Sequence, residues 1–387
     1  MTARIVSIAT AVPPTQIPQQ HVRDLFARQP WADRLTQRLI GAAFDAADID
    51  ARHTVLAELG PQPAPPADAA APFLDDEGVL LSPGTGARND LYIALAPPLS
   101  ARAARSALAG AGVTPDEVTH VVTVSCTGSF APGPDYRLVR DLSLPTTVER
   151  YHLGFIGCAA AFPALRLAAR ITAAQPEAVV LVVCTELCSL HIRASADPQQ
   201  IVAASVFGDG AAAALVTADP RVGAGGGLEL DRFGTALTSE GEDDMVWTVG
   251  DHGFDMTLSA EVPRIIGREI RAAVNDFFSV DAAPAAWAVH PGGRSVLDRV
   301  EQGLVLGAAA LDHSRAVLRE FGNMSSATVL FILQRLLGDE SVGDGERIGG
   351  LAFGPGLTVE SMMLTKRLGL EAAQPAGHRT ALAAGRA

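Results

Sequence analysis

The stretch Arg150–Ala168, RYHLGFIGCAAAFPALRLA, decides how the rest of the chain is read. An apolar, strand-like run stops at Gly157-Cys158 and a helix-like run begins there. A thiol at such a junction meets unpaired backbone N–H groups and the positive end of the helix dipole, both of which favour thiolate over thiol. Cys158 is therefore a candidate nucleophile, set against the plainer reading that a buried Cys fills space beside Ala159 and Ala160. Pro163 falls in the first or second turn, where a ring without an N–H delays the helix by a few residues.

Working outward, 387 residues are long for one domain, which points to two domains or two fused halves. A net charge of −13 and the lack of any basic block argue against a nucleic-acid partner, because phosphate binding needs clustered positive charge. No apolar run approaches the roughly 20 residues that span a bilayer. The opening MTARIVSIATAVPP reads as a first strand rather than a signal peptide. Cys126, Cys158, Cys184 and Cys188 form no C-x-x-C pair and match no zinc spacing, so they read as reduced thiols of a cytoplasmic protein. Lys366 is the only lysine.

After the first strand, helices run to about residue 50, and the Pro/Ala-rich run from Gly60 to Phe73 reads as an exposed loop. A helix over Leu95–Ala111 and a strand over Val118–Cys126 follow, then a helix near Pro134, the Cys158 strand and helix, and an apolar strand over Ala178–Cys184. Strands apolar on both faces, alternating with helices, predict a mainly parallel sheet covered on both sides. Past Gly223–Gly227 the chain begins again: LELDRFGTALT at 228–238 echoes RIVSIATAVP at 4–13. A helix over 261–279, a strand ending at His290, a helix over 293–306, a helix entered at Asn323 and strands near 347–353 and 358–364 complete two halves, 1–220 and 221–387. The residues from about Leu370 read as a frayed tail.

Three residues stand at element ends: Cys158, His290 in AVHPGGRS and Asn323 in FGNMSSATVLFILQRL. His290 closes a strand at its C-terminal end, where open α/β sheets bind ligands, and Asn323 reads equally as a helix N-cap. Together they supply a nucleophile, a base that can become a cation and an amide donor, a set able to activate a thiol and stabilise an oxyanion. Papain-like hydrolases also place His and Asn downstream of Cys, but their Cys stands near the mature N-terminus beside an aromatic in a secreted, disulfide-bonded protein.

FIGCAAAF, VFGDGAAAALV, WAVHPGGRSVLDRVEQGL, FGNMSSATVLFILQRL and FGPGLTVES, in this order from about Val118 to Leu364, resemble the type III polyketide synthases, the chalcone and stilbene synthase family. The resemblance implies an α/β fold of the thiolase-like kind, five αβαβα layers made of two similar halves, and a homodimer. It places Cys158 and Asn323 at pseudo-equivalent helix starts.

By the same resemblance, Cys158 is held as thiolate by His290 and the helix end and accepts the acyl group of a starter acyl-CoA. Malonyl-CoA then loses CO2 while His290 and Asn323 stabilise the enolate, which attacks the Cys158 thioester. CoA thioesters are substrates, and no metal or other cofactor is called for. Phe207 matches the family's gatekeeper between the CoA tunnel and the cavity, and its apolar face favours loss of the malonyl carboxylate. Met256 falls where plant members carry a second gatekeeper Phe. Cys188, His191 and Ser325 match positions that size the cavity. Glu186 and Ser325 match two members of the network that promotes aldol ring closure, with Gly128 in place of its Thr. Arg38, Arg52 and Gly292 are the candidates for CoA contacts.

The wording of GFIGCAAAF and ELCSLH is closest to the bacterial alkylpyrone and alkylresorcinol synthases, which implies a fatty acyl starter and a pyrone or resorcinol-type product. Two alternatives are a ketoacyl synthase of the fatty-acid initiation type, fed by acyl carrier protein, and a non-catalytic thiolase-fold binding protein.

Overall fold

A computed structural model describes residues 2–369 except 63, 64, 66, 67, 69, 70, 281 and 282. The tail from Leu370 lies outside the described residues.

The first half runs β1 (Arg4–Ala11), β2 (Thr15–Pro18), α1 (Gln19–Ala27), α2 (Arg34–Ala46), β3 (Ala51–Thr54), α3 (Thr85–Ala111), β4 (His120–Ser125), α4 (Pro134–Leu142), β5 (Glu149–Gly154), α5 (Ala161–Ala174), β6 (Val179–Leu187), α6 (Pro198–Val206) and β7 (Asp209–Thr217). The second runs β8 (Gly227–Leu237), β9 (Met245–Gly250), β10 (Gly253–Leu258), α7 (Val262–Phe278), β11 (Ala286–Val289), α8 (Arg294–Leu304), α9 (Asp312–Phe321), α10 (Thr328–Gly338), β12 (Arg347–Gly354) and β13 (Thr358–Arg367).

Nine strands form one ladder in the order β11-β12-β13-β8-β1-β7-β6-β4-β5. Read outward from the β1/β8 junction, the halves repeat: β7, β6 and β4 on one side answer β13, β12 and β11 on the other. The junction itself consists of two residue pairs, Arg4–Glu229 and Ile5–Leu228. The predicted mainly parallel sheet is corrected here: only β4–β5, β4–β6 and β11–β12 are parallel, and the other pairs of the ladder run antiparallel. An apolar run reports burial on both faces and carries no information on direction, so the sequence pattern could not separate the two.

Burial on both faces follows from the helices. α5 packs on β4, β6 and β7 and also on β8 and β13, while α10 packs on β1 and β7 and also on β11. These two helices are therefore the middle layer. α3 covers β1, β6 and β7 from outside, and α7 covers β8 and β13. This layering is the thiolase-like five-layer α/β arrangement.

α3 begins at Thr85, ten residues before the predicted start, and carries Pro97 and Pro98 inside it. The proline pair reads as a helix beginning, but burial of Leu91, Tyr92 and Ala96 holds the preceding turns helical in spite of the missing N–H donors. The Gly60–Phe73 run is not simply an exposed loop, because Phe73 is fully buried under the Arg88 guanidinium, 4.8 Å from its ring centre. β5 is an edge strand with a largely exposed face rather than an apolar core strand, and it ends at Gly154, three residues before the predicted stop at Gly157. Lys366 is buried on β13 and donates from Nζ to the carbonyls of Leu336 and Asp339, 3.1 and 2.5 Å away, at the end of α10.

Candidate active site

Cys158 sits in a single tight turn, Gly157–Ala159, between β5 and α5. The helix proper starts at Ala161, so the delay expected from Pro163 is present. Gly157 has φ +77°, and a Cβ there would lie 2.4 Å from Pro355 Cδ, so only glycine lets this turn approach the turn after β12. Asn323 arrives from the other half. Its Oδ1 accepts the Ser325 N–H at 2.8 Å and stands 4.0 Å from Cys158 Sγ. The bond from Ser325 fixes the amide orientation, since a backbone donor must face oxygen. It also corrects the capping reading: α10 starts at Thr328, and Asn323 closes only its own local turn. Ser325 holds φ +48°, a conformation an L-residue adopts at a cost.

His290 follows β11 and is fully buried, with both ring nitrogens lacking a protein partner. Its backbone is pinned on both sides: His290 N–H donates to Leu351 O, and Gly292 N–H donates to His290 O. Gly292 O in turn faces Asn323 Nδ2 at 3.4 Å, so the three residues form one connected corner. Burial lowers the imidazole to about 3. Burial likewise pushes the Cys158 thiol up to about 11, against the pull of the Ser325 hydroxyl. Both shifts have one cause, desolvation, which disfavours the charged form of each group when no substrate is bound.

Phe207, at the end of α6, pairs with Asn323 through a parallel bridge: Asn323 N–H donates to Val206 O at 2.8 Å and Gly208 N–H to Asn323 O at 2.9 Å. Phe207 and Met256 line a largely apolar cavity together with Cys158, Cys188, His191 and Ser325. Ile17, Val22, Leu25 and Leu59 also line it. Asn323 and His290 are not part of the lining. Glu186 is fully buried beside the cavity wall, its carboxyl raised by burial although it accepts bonds from Ser326 Oγ (2.5 Å), Cys126 N (3.0 Å) and Thr127 Oγ1 (2.9 Å).

Thr127 therefore occupies the position that the sequence reading gave to Gly128. A Cβ at Gly128 would stand 2.1 Å from the Tyr92 ring, so this glycine serves packing. Arg52 is buried, lines the cavity and donates from Nη1 to Ala204 O and Phe207 O. Arg38 is exposed on α2 and does not line the cavity.

His191 is locked. Its Nε2 donates to Thr127 O at 2.8 Å, its Nδ1 accepts Phe254 N–H at 3.0 Å, and burial lowers it to about 3. It stacks on Phe254, centroids 4.4 Å apart. Trp247, whose Nε1 donates to Cys126 O at 2.7 Å, completes this aromatic wall. Sequence reasoning missed Trp247, Phe254 and Thr127. The alternating run MVWTVGDHGFDMTL around Gly250–Gly253 carries the hairpin signal that could have located the first two.

Models of the chalcone and stilbene synthases match the chain, the N-terminal domain over residues 1–220 and the C-terminal domain over residues 235–367. A probable polyketide synthase 1 of Dictyostelium discoideum is 30% identical over 369 residues. That match takes in 93% of this chain but 11% of the relative's length, so the chain spans about a tenth of that curated protein. Among solved structures, PKS-I of the brown alga Ectocarpus siliculosus superposes with a TM-score of 0.86 at 26% identity, over 94% of this chain and 98% of that one. The C-terminal type III polyketide synthase domain of Steely1, a type I/III hybrid from Dictyostelium, gives 0.85 at 28% identity, over 95% and 100%.

Proposed function

The chain belongs to the chalcone and stilbene synthase family, the type III polyketide synthases, and from that premise we propose that it loads an acyl-CoA starter on Cys158 and lengthens it with malonyl-CoA. The observation that carries this reading is that Cys158, which lines the apolar cavity, stands 4.0 Å from Asn323 Oδ1 of the other half. His290 takes the thiol proton as Cys158 sulfur attacks the starter carbonyl, and returns it to the departing CoA sulfur. On malonyl-CoA the bond to the carboxylate carbon breaks, CO2 leaves, and its electron pair forms an enolate whose oxygen faces donors from Asn323 Nδ2 and His290. The enolate carbon attacks the Cys158 thioester and frees the thiolate for the next round.

The apolar lining by Ile17, Val22, Leu25 and Leu59 supports a fatty acyl starter, and the Thr127, Glu186 and Ser326 network beside the wall supports closure to a pyrone or resorcinol-type ring. We read residues 1–220 and 221–387 as the two repeated units. The exposed edge strand β5, followed by exposed Phe155 and Ile156, supports a homodimer joined there. Among the described residues no helix is long and apolar enough to cross a membrane, and the free thiols suit a cytoplasmic setting.

Intact-protein mass after incubation with lauroyl-CoA should show one acyl adduct, absent in Cys158→Ala. Malonyl-CoA should then give extended products from fatty starters. No adduct, or extension of aromatic starters alone, overturns the reading.

A further inference from the structure

Arg52, on β3, is part of the cavity lining, and the chemistry above leaves it unused. It is 3% exposed, and Nη1 donates to Ala204 O at 2.7 Å and Phe207 O at 2.6 Å. Its stem fills the gap left by two glycines. A Cβ at Gly208 would lie 3.3 Å from Arg52 Cβ, and one at Gly322 would lie 2.8 Å from Cγ and Cδ. Nε and Nη2 find no protein acceptor. Three of its five N–H donors are thus idle, while the buried Asp209 carboxyl attracts its charge, so the hydrogen bonds it does make are few and specific.

What it holds is more informative. Ala204 belongs to the last turn of α6, whose carbonyls have no partner within the helix and whose end favours positive charge. The next carbonyl it takes is that of Phe207, the residue bridged to Asn323. One side chain therefore fixes the segment that sets both the apolar face over the malonyl carboxylate and the amide aimed at the enolate oxygen.

We propose that Arg52 is a positioning residue for malonyl-CoA decarboxylation, acting through the paired backbones of Phe207 and Asn323. This rests on the roles given above to those two residues. Misplacing an oxyanion donor by about 1 Å is enough to cost on the order of 100-fold in rate. Loss of Arg52 should therefore damage this step and spare the nucleophile.

The test uses the full chain without starter, where the enolate takes a proton and acetyl-CoA and CO2 accumulate. Arg52→Met should release CO2 about 10- to 100-fold more slowly than wild type. Its Cys158 alkylation by iodoacetamide should stay within about 3-fold. Arg52→Lys should recover part of the loss, and in an Asn323→Ala background Arg52→Met should add less than it does alone. The proposal is overturned if decarboxylation in Arg52→Met stays near wild type, if it falls together with alkylation and melting temperature, or if the Arg52 and Asn323 effects multiply. Wild-type protein that releases no CO2 would instead overturn the proposed reaction.

Discussion

The rings of His191 and Trp247 meet edge to face, with centroids 5.4 Å and planes 88° apart. His191 cannot swing away, since both its nitrogens are engaged and Phe254 lies on its other face. Trp247 is thereby held as a rigid wall, and Trp247→Ala should open the cavity on that side. Expected results are a shift of the product mixture toward bulkier starters or further extension, read by mass spectrometry, and a stability loss of about 2 kcal/mol from lost packing and the lost bond to Cys126 O. An unchanged product mixture would show that the wall does not bound the growing chain.

Burial of Cys158 and His290 predicts how the thiol reacts without substrate. With burial raising the thiol to about 11 and lowering the imidazole to about 3, the expected thiolate fraction at pH 7 is small. Carboxymethylation by iodoacetamide should climb about tenfold per pH unit through the range 7 to 9. A flat rate from pH 5 to 9 would mean a standing thiolate–imidazolium pair and would contradict the raised thiol.

Acid should destabilise the fold. His191 and His290 are both held near 3, below the ordinary 6.5, so the folded chain binds fewer protons than the unfolded chain between those values. Stability is full above pH 6.5 and is lost as pH falls toward 3. Burial raises the Asp209 carboxyl to about 6, which opposes part of this loss, because its folded form gains a proton first. Melting temperature should drop between pH 7 and pH 5, and less steeply in His191→Gln, whose amide can still serve Thr127 O and Phe254 N–H. Identical slopes would remove His191 as a contributor.

Gly157 tests the turn that presents the nucleophile. Gly157→Ala places a methyl group 2.4 Å from Pro355 Cδ at φ +77°, so acylation of Cys158 should fall by about tenfold or more. Pro355→Ala in the same chain should restore part of it. Failure of the second change to help would locate the damage in the backbone strain alone.

Much of this was legible in the sequence where local chemistry dictates local structure. The Gly157-Cys158 junction, the late helix after it, the strand ending before His290 and the GNMSSA turn each carry their own signal. What stayed hidden depends on partners far along the chain. Strand direction is invisible in a run such as AAAALVT, which is apolar whichever way it lies. Arg52 sits in IDARHTVL, where nothing local distinguishes a surface cation from one buried between Gly208 and Gly322. Gly128 and Thr127 were exchanged because two neighbouring residues carry no internal marker of register, and the side chain that separates them is Glu186, 59 positions after Thr127. The raised Cys158 thiol follows from desolvation, which a motif cannot report.

Lys366 has a practical consequence. With Nζ turned into the end of α10 and no second lysine in the chain, the folded surface offers no side-chain target to succinimidyl esters or other amine reagents. Dye coupling at this residue would have to wait until β13 peels from the helix. A reagent normally used to paint exteriors would here time the opening of the core.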